Sequence, residues 1–229
     1  MHLRLTLIFI LLLPVPSTAQ LVTFFGEDFG TGDNEQPLES WPNSDTAFTS
    51  FSALYQDIAI LDFESYATNS AEPLTLDFDG QGAVLTGRGV VYEIVTGSYA
   101  GTFPTSGTHY WLDDARTEPF TIAFSSPQTA FGFYATDVSD FYGTILLRLD
   151  DGREIPIPAY EGWPTGSVLF FGIHDPTNPF TSVSLIPDTI DHGWGGSMDG
   201  FGVDDLVIGL NDAVPSEIEK WGAIKATFR

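Results

Sequence analysis

The stretch Asp199-Gly200-Phe201-Gly202-Val203-Asp204-Asp205-Leu206-Val207-Ile208-Gly209 decides the fold. Glycines around Phe201 mark a turn into a run of Val, Leu and Ile, the residue types that suit a pleated strand. Two adjacent carboxylates interrupt that run. Successive strand residues point to opposite faces, so the pattern predicts that one of Asp204 and Asp205 turns into the interior or an edge pocket. A carboxylate removed from water needs a partner. Cations are scarce, with 8 Lys and Arg against 31 Asp and Glu. Two readings follow: the partner is a hard, oxygen-ligated ion such as calcium, or it is a set of backbone N–H donors at the end of a sheet.

Working back from this last strand, short runs rich in Phe, Val, Ile, Leu and Thr recur between Gly, Pro, Asn and Asp: Leu21–Phe25, Ile60–Glu64, Leu74–Phe78, Ala83–Thr86, Val90–Val95, His109–Leu112, Phe120–Phe124, Ala130–Val138, Thr144–Leu149, Ser167–Ile173 and Phe180–Ile186. Their length and spacing predict an all-β, jelly-roll-like antiparallel β-sandwich. Asp151-Gly152 is a hairpin turn by its Asp-Gly pair. One helix is expected, beginning near Pro42-Asn43-Ser44-Asp45, capped by Ser44 or Asn43, with Ala47, Phe51, Leu54, Tyr55 and Ile58 on one 3.6-period stripe. No repeat of fixed period is present, which excludes a solenoid or propeller.

The chain divides into a leader at 1–19, an acidic loop and helix at 20–58, the sandwich at 59–210 and a tail at 211–229. The leader has the pattern of a secretory signal peptide: His2 and Arg4, the apolar run Leu5–Leu13, then Pro14, Pro16 and small residues. That run is too short to span a bilayer. With no cysteine in the sequence, the exported domain is expected to rely on its core, which leans towards a bacterial source.

The 229 residues carry a net charge of −23, and the cations left between leader and tail are Arg88, Arg116, Arg148 and Arg153. Such a body repels nucleic acid and anionic lipid, since phosphate binding needs clustered Lys and Arg. Candidate ion ligands are Glu64, which ends the first sandwich strand, and Asp204 and Asp205 in the last; in a jelly roll those strands lie side by side. Asp28, Asp33 and Glu35 form a second acidic group, without the register of a calcium loop.

For ligand contact, the candidates are Trp163 and Trp194 in glycine-flanked loops, Tyr110 and Trp111 after a polar loop, and His192 beside Trp194. An aromatic ring stacks on the apolar face of a sugar while polar neighbours bond its hydroxyls. Alternatively these rings close the ends of the sandwich. Catalytic patterns are weak: Gly195-Gly196-Ser197-Met198-Asp199 lacks the last glycine of a nucleophile elbow, and the histidines form no zinc spacing. The expectation is therefore not an enzyme.

Phe25-Gly26-Glu27-Asp28, Asp62-Phe63-Glu64-Ser65-Tyr66, Phe131-Gly132-Phe133-Tyr134-Ala135-Thr136-Asp137, Ser167-Val168-Leu169-Phe170-Phe171-Gly172 and the final Asp-Asp strand together resemble exported bacterial proteins of the PEP-CTERM type. The resemblance implies export and a sandwich fold. It departs at the end, where Val214-Pro215-Ser216-Glu217 is followed by a short basic tail with no apolar span. The last strand also resembles that of galactose-binding-like carbohydrate-binding modules. That resemblance implies a structural calcium held by Glu64 and Asp204 or Asp205. The expected function is a secreted or cell-surface module binding an extracellular glycan or surface polymer; a matrix protein retained through its tail is the alternative, and a secreted hydrolase a third.

Overall fold

The computed structural model describes residues 21–30, 36–94, 101–113, 119–138, 143–159, 166–189 and 200–212. The leader, residues 213–229 of the tail, Trp163, His192, Trp194, Asp33 and Glu35 lie outside the described residues, while Asn211 and Asp212, expected in the tail, belong to the last strand. In chain order the elements are β1 (Val22–Asp28), α1 (Pro42–Ser52), β2 (Tyr55–Leu61), β3 (Leu74–Phe78), β4 (Gln81–Thr86), β5 (Val90–Glu93), β6 (His109–Asp113), β7 (Phe120–Gln128), β8 (Ala130–Thr136), β9 (Gly143–Leu149), β10 (Glu154–Pro156), β11 (Val168–His174), β12 (Phe180–Thr189) and β13 (Phe201–Asp212).

They form the antiparallel β-sandwich with one short helix that the sequence predicts. One sheet runs β1-β11-β8-β13-β6-β5, with β2 also on β13; the other runs β10-β9-β12-β7-β4-β3. Between the sheets lies an apolar core that includes Phe63, Leu76, Trp111, Phe120, Phe131, Phe133, Phe171 and Leu185. Strands of the second sheet alternate, as β3 does with Leu74, Leu76 and Phe78 buried and Thr75 and Asp77 exposed. That is the signature of a sheet with one wet face.

The centre of the first sheet is covered on both faces. Every residue of β8 and all but the last of β11 are buried, because α1 lies on the outer face and closes a second apolar cluster of Ala47, Phe51, Tyr55, Phe103, Tyr134, Phe170 and Val207. Continuous apolar runs such as Val168–Ile173 are what a strand buried on both sides requires. The helix comes close because Gly172 lacks a side chain: a Cβ there would stand 2.8 Å from the Phe51 ring.

Two local expectations are corrected. The apolar stripe does not continue the helix to Ile58; α1 ends at Ser52, and Tyr55 and Ile58 belong to β2, which pairs with β13 from Leu61↔Leu206 onward. Sheet pairing overrides a local period when it satisfies every backbone group. Nor does Ser44 or Asn43 cap the helix. Trp41 occupies the N-cap without a side-chain bond, and the cap comes from Asp28 at the end of β1, whose carboxylate accepts the N–H groups of Asn43 (3.1 Å) and Ser44 (2.9 Å). A negative group at a helix N-terminus satisfies its free donors and its dipole. Asp28, expected as part of an acidic loop, is thus a helix cap.

Candidate functional site

The site is organised by a fault in β13. Its first part, Phe201–Val203, pairs with β6, and from Leu206 it pairs instead with β2. Its other flank pairs with β8 on both sides of this change, at Gly202, Val203 and Asp204 and again at Val207, with a register shift between Asp204 and Val207. At the shift Asp205 has φ 45°, the left-handed region that Asp tolerates better than most residues. This bulge cancels the alternation expected of neighbouring strand residues. Asp204 and Asp205 therefore both reach the same segment, the strap of residues 101–108 that precedes β6 and fills the space between β6 and β2.

Strap and carboxylates are tightly bonded. Asp204, 1% exposed, accepts the backbone N–H of Thr105 at 2.8 Å and of Ser106 at 3.1 Å on Oδ2, and that of Asp205 at 2.8 Å on Oδ1. Asp205 accepts the hydroxyls of Thr105 (2.8 Å) and Ser106 (2.7 Å). Glu64 stands in the turn after β2, three residues past Leu61, and accepts the N–H groups of Thr108 (2.5 Å) and His109 (2.6 Å). The approach needs glycine at 107, where φ is +59° and a Cβ would lie 2.2 Å from Glu64 Oε1. Upstream, Thr136 Oγ1 on β8 bonds both the N–H and the carbonyl of Phe103. The Thr102 hydroxyl meets the Tyr110 phenol at 2.9 Å.

The electrostatics follow. Burial and then the charge of Asp205 push the Asp204 carboxyl well above its ordinary value, against the pull of its N–H donors. Burial also raises Asp205; the Ser106 and Thr105 hydroxyls oppose it, and the charges of Asp62 and Glu64 add to it. For Glu64, burial is outweighed by the N–H groups of His109 and Thr108, so its carboxyl is held below the usual range.

The expected juxtaposition of Glu64 with the Asp pair is present, since β2 lies beside β13. What fills the space between is protein. N–H and O–H donors occupy the carboxylate oxygens, and among the described residues no three His, Asp or Glu side chains converge as ligands for an ion. These donors present positive hydrogens where a cation would need oxygen atoms, so the donor set does not fit calcium.

Tyr110 and Trp111 are core residues, 1% and 0% exposed. Trp111 stacks on Phe63 (6.4 Å between centroids) and donates its indole N–H to the Arg88 carbonyl at 3.2 Å. Burial pushes the Tyr110 phenol up to about 12. Neither ring has a face open to a ligand, which corrects their assignment as ligand contacts.

A cleft of about 610 Å³ opens on the outer side of the first sheet, next to the strap. Its wall on α1 and the residues before it is Glu39, Trp41, Asp45, Phe48 and Thr49; its floor is Ile60 of β2, Tyr134 of β8, Asp205 of β13 and Thr105 of the strap. Tyr134 donates its hydroxyl to Asp45 at 3.0 Å. The phenol is raised by burial and then by the bond and charge of Asp45, with Asp205 adding. Sequence reading treated α1 as support alone. The signal was there in the spacing of Trp41, Asp45, Phe48 and Thr49, a second stripe beside the Ser44, Ala47 and Phe51 face that packs on the sheet.

No family model matches the chain, and no curated protein matches it. Among solved structures, the K2 cleaved adhesin domain of Lys-gingipain is similar with a TM-score of 0.41 and 13% identity, over 67% of this chain and 100% of that one. Similarity at this level assigns neither family nor activity.

Proposed function

We propose that the protein is an exported extracellular or cell-surface binding module whose ligand is carbohydrate, seated in the cleft between α1 and the β2–β13 seam. One observation carries the reading: Trp41, Phe48 and Tyr134 share a cleft with Asp45, Asp205 and Thr105, an apolar wall with a few polar groups beside it. That is the composition sugar sites use, ring face on aromatic and hydroxyls on carboxylate or hydroxyl. The leader pattern supports export. In this reading Glu64 and Asp204 act by holding the strap through hydrogen bonds, without calcium, and Asp205 both holds the strap and faces the cleft. The protein binds and performs no reaction.

The test is a glycan-array screen followed by calorimetric titration of the best binder against the wild type, Trp41→Ala and Phe48→Ala. Trp41→Ala is expected to weaken binding about tenfold or more, equivalent to about 1.4 kcal/mol, with an unchanged far-ultraviolet spectrum. Undiminished affinity in both variants would remove the ligand from this cleft. An intact protein that binds no glycan would transfer the reading to a structural surface protein, for which deletion of Val214–Arg229 should abolish surface retention.

A further inference from the structure

We infer that the cleft selects a sugar bearing a free, protonated amine, its ring face against Trp41 and its ammonium group facing Asp45 and Asp205. The inference rests on the binding reading above and adds the charge of the ligand.

Three carboxylates line the cleft, from Glu39, Asp45 and Asp205, and none of its lining residues is Lys, Arg or His. The partners of the two inner carboxylates are neutral. Asp45 takes the Tyr134 hydroxyl, and Asp205 takes the hydroxyls of Thr105 and Ser106. Hydroxyl donors solvate a carboxylate but leave its charge in place. Two of the arginines are engaged elsewhere: Arg148 pairs with Glu154, and Arg153 pairs with Asp151 and Asp175.

Asp45 and Asp205 also act on one point, since both raise the Tyr134 phenol that forms the floor between them. The field there is negative, in a protein of net charge −23. A walled cleft concentrates such a field. A neutral sugar would gain hydrogen bonds but nothing from the charge, and an acidic sugar would be repelled. An ammonium group gains from both carboxylates and from the negative face of Trp41, which favours a nearby cation.

The experiment is calorimetric titration with a fully deacetylated glucosamine oligomer, the same oligomer N-acetylated, and a lysine-containing peptide. Each is measured at low and high salt, at a pH that keeps the amine protonated. The wild type is expected to bind the deacetylated oligomer at least tenfold more tightly than the acetylated one, with the margin shrinking in salt as charges are screened. Asp45→Asn should reduce that margin severalfold; because Asp45 is exposed, this variant keeps its fold even if Asp205→Asn, which loosens the strap, does not. Equal affinity for the two oligomers would overturn the charge inference and leave the glycan module standing. Binding of neither oligomer, with no other glycan retained on the array, would sink the module reading itself. A lysine peptide that binds as tightly as the oligomer would show that the cleft reads an amine without a sugar, and would overturn the inference too.

Discussion

Asp204 Oδ2 accepts the backbone N–H of Thr105 at 2.8 Å, a bond between residues 99 positions apart in the chain. It ties the strap to the bulge of β13. With the neighbouring bond from Ser106, it satisfies two backbone groups that the sheets cannot reach, since β13 changes partner from β6 to β2 at this point.

Asp204→Ala therefore leaves three N–H donors, those of Thr105, Ser106 and Asp205, without their acceptor in a closed environment. Each such loss costs about 1–3 kcal/mol, so a destabilisation of about 3 kcal/mol is expected in urea unfolding. Asp205→Ala removes only hydroxyl bonds and should cost about 1 kcal/mol. Equal losses in the two variants would contradict the distinction.

Stability should depend on pH in two opposite ways. The raised Asp204 carboxyl holds its proton more tightly in the folded protein than in the unfolded chain. Its contribution is thus fully present below its ordinary value of 3.8 and is lost as pH rises through the folded value. Glu64 and Asp175 are lowered, so their contributions are present above 4.5 and 3.8 and are lost as pH falls through their folded values. A melting series from about pH 3 to 8 should peak in the mildly acidic range. Asp205, also raised, contributes to the same limb, so Asp204→Asn should make the alkaline limb shallower and leave the acid limb alone; an alkaline limb as steep as the wild type's would refute the assignment.

Calcium should leave the melting temperature unchanged. An ion that binds only the native state raises Tm with its concentration, but the oxygens of Glu64, Asp204 and Asp205 are committed to the strap. Melting curves in EDTA and in millimolar calcium decide this. A rise that Glu64→Gln abolishes would restore the ion.

Helix α1 should be fastened to the sheet chiefly by Phe51, fully buried against Phe24, Tyr55 and Phe170. Phe51→Ala is expected to cost about 3–5 kcal/mol. Gly172→Ala, which forces a methyl group against the same ring, should cost about 1–3 kcal/mol. Hydrogen exchange should show the loss concentrated in 42–52. A loss spread evenly over both sheets would contradict a separately packed helix.

The sequence by itself determined the class of fold and most of its strands, because burial on one face leaves a period of two that survives in the residues: Leu74, Leu76 and Phe78 point inward in the structure as their spacing demands. It also placed Glu64 near Asp204 and Asp205, since strand pairing brings the end of β2 beside Leu206 of β13. Only the tertiary structure decided what those carboxylates hold. The left-handed turn at Asp205 breaks the alternation on which sequence reading relies, and the donors come from a strap about a hundred residues earlier in the chain. The same holds for Trp41 and Trp111. Trp111 lies in a predicted strand and Trp41 just before a predicted helix, but one ends in the core and the other in the cleft because sheet pairing and the seat of α1, which are non-local, fix which faces remain open to water.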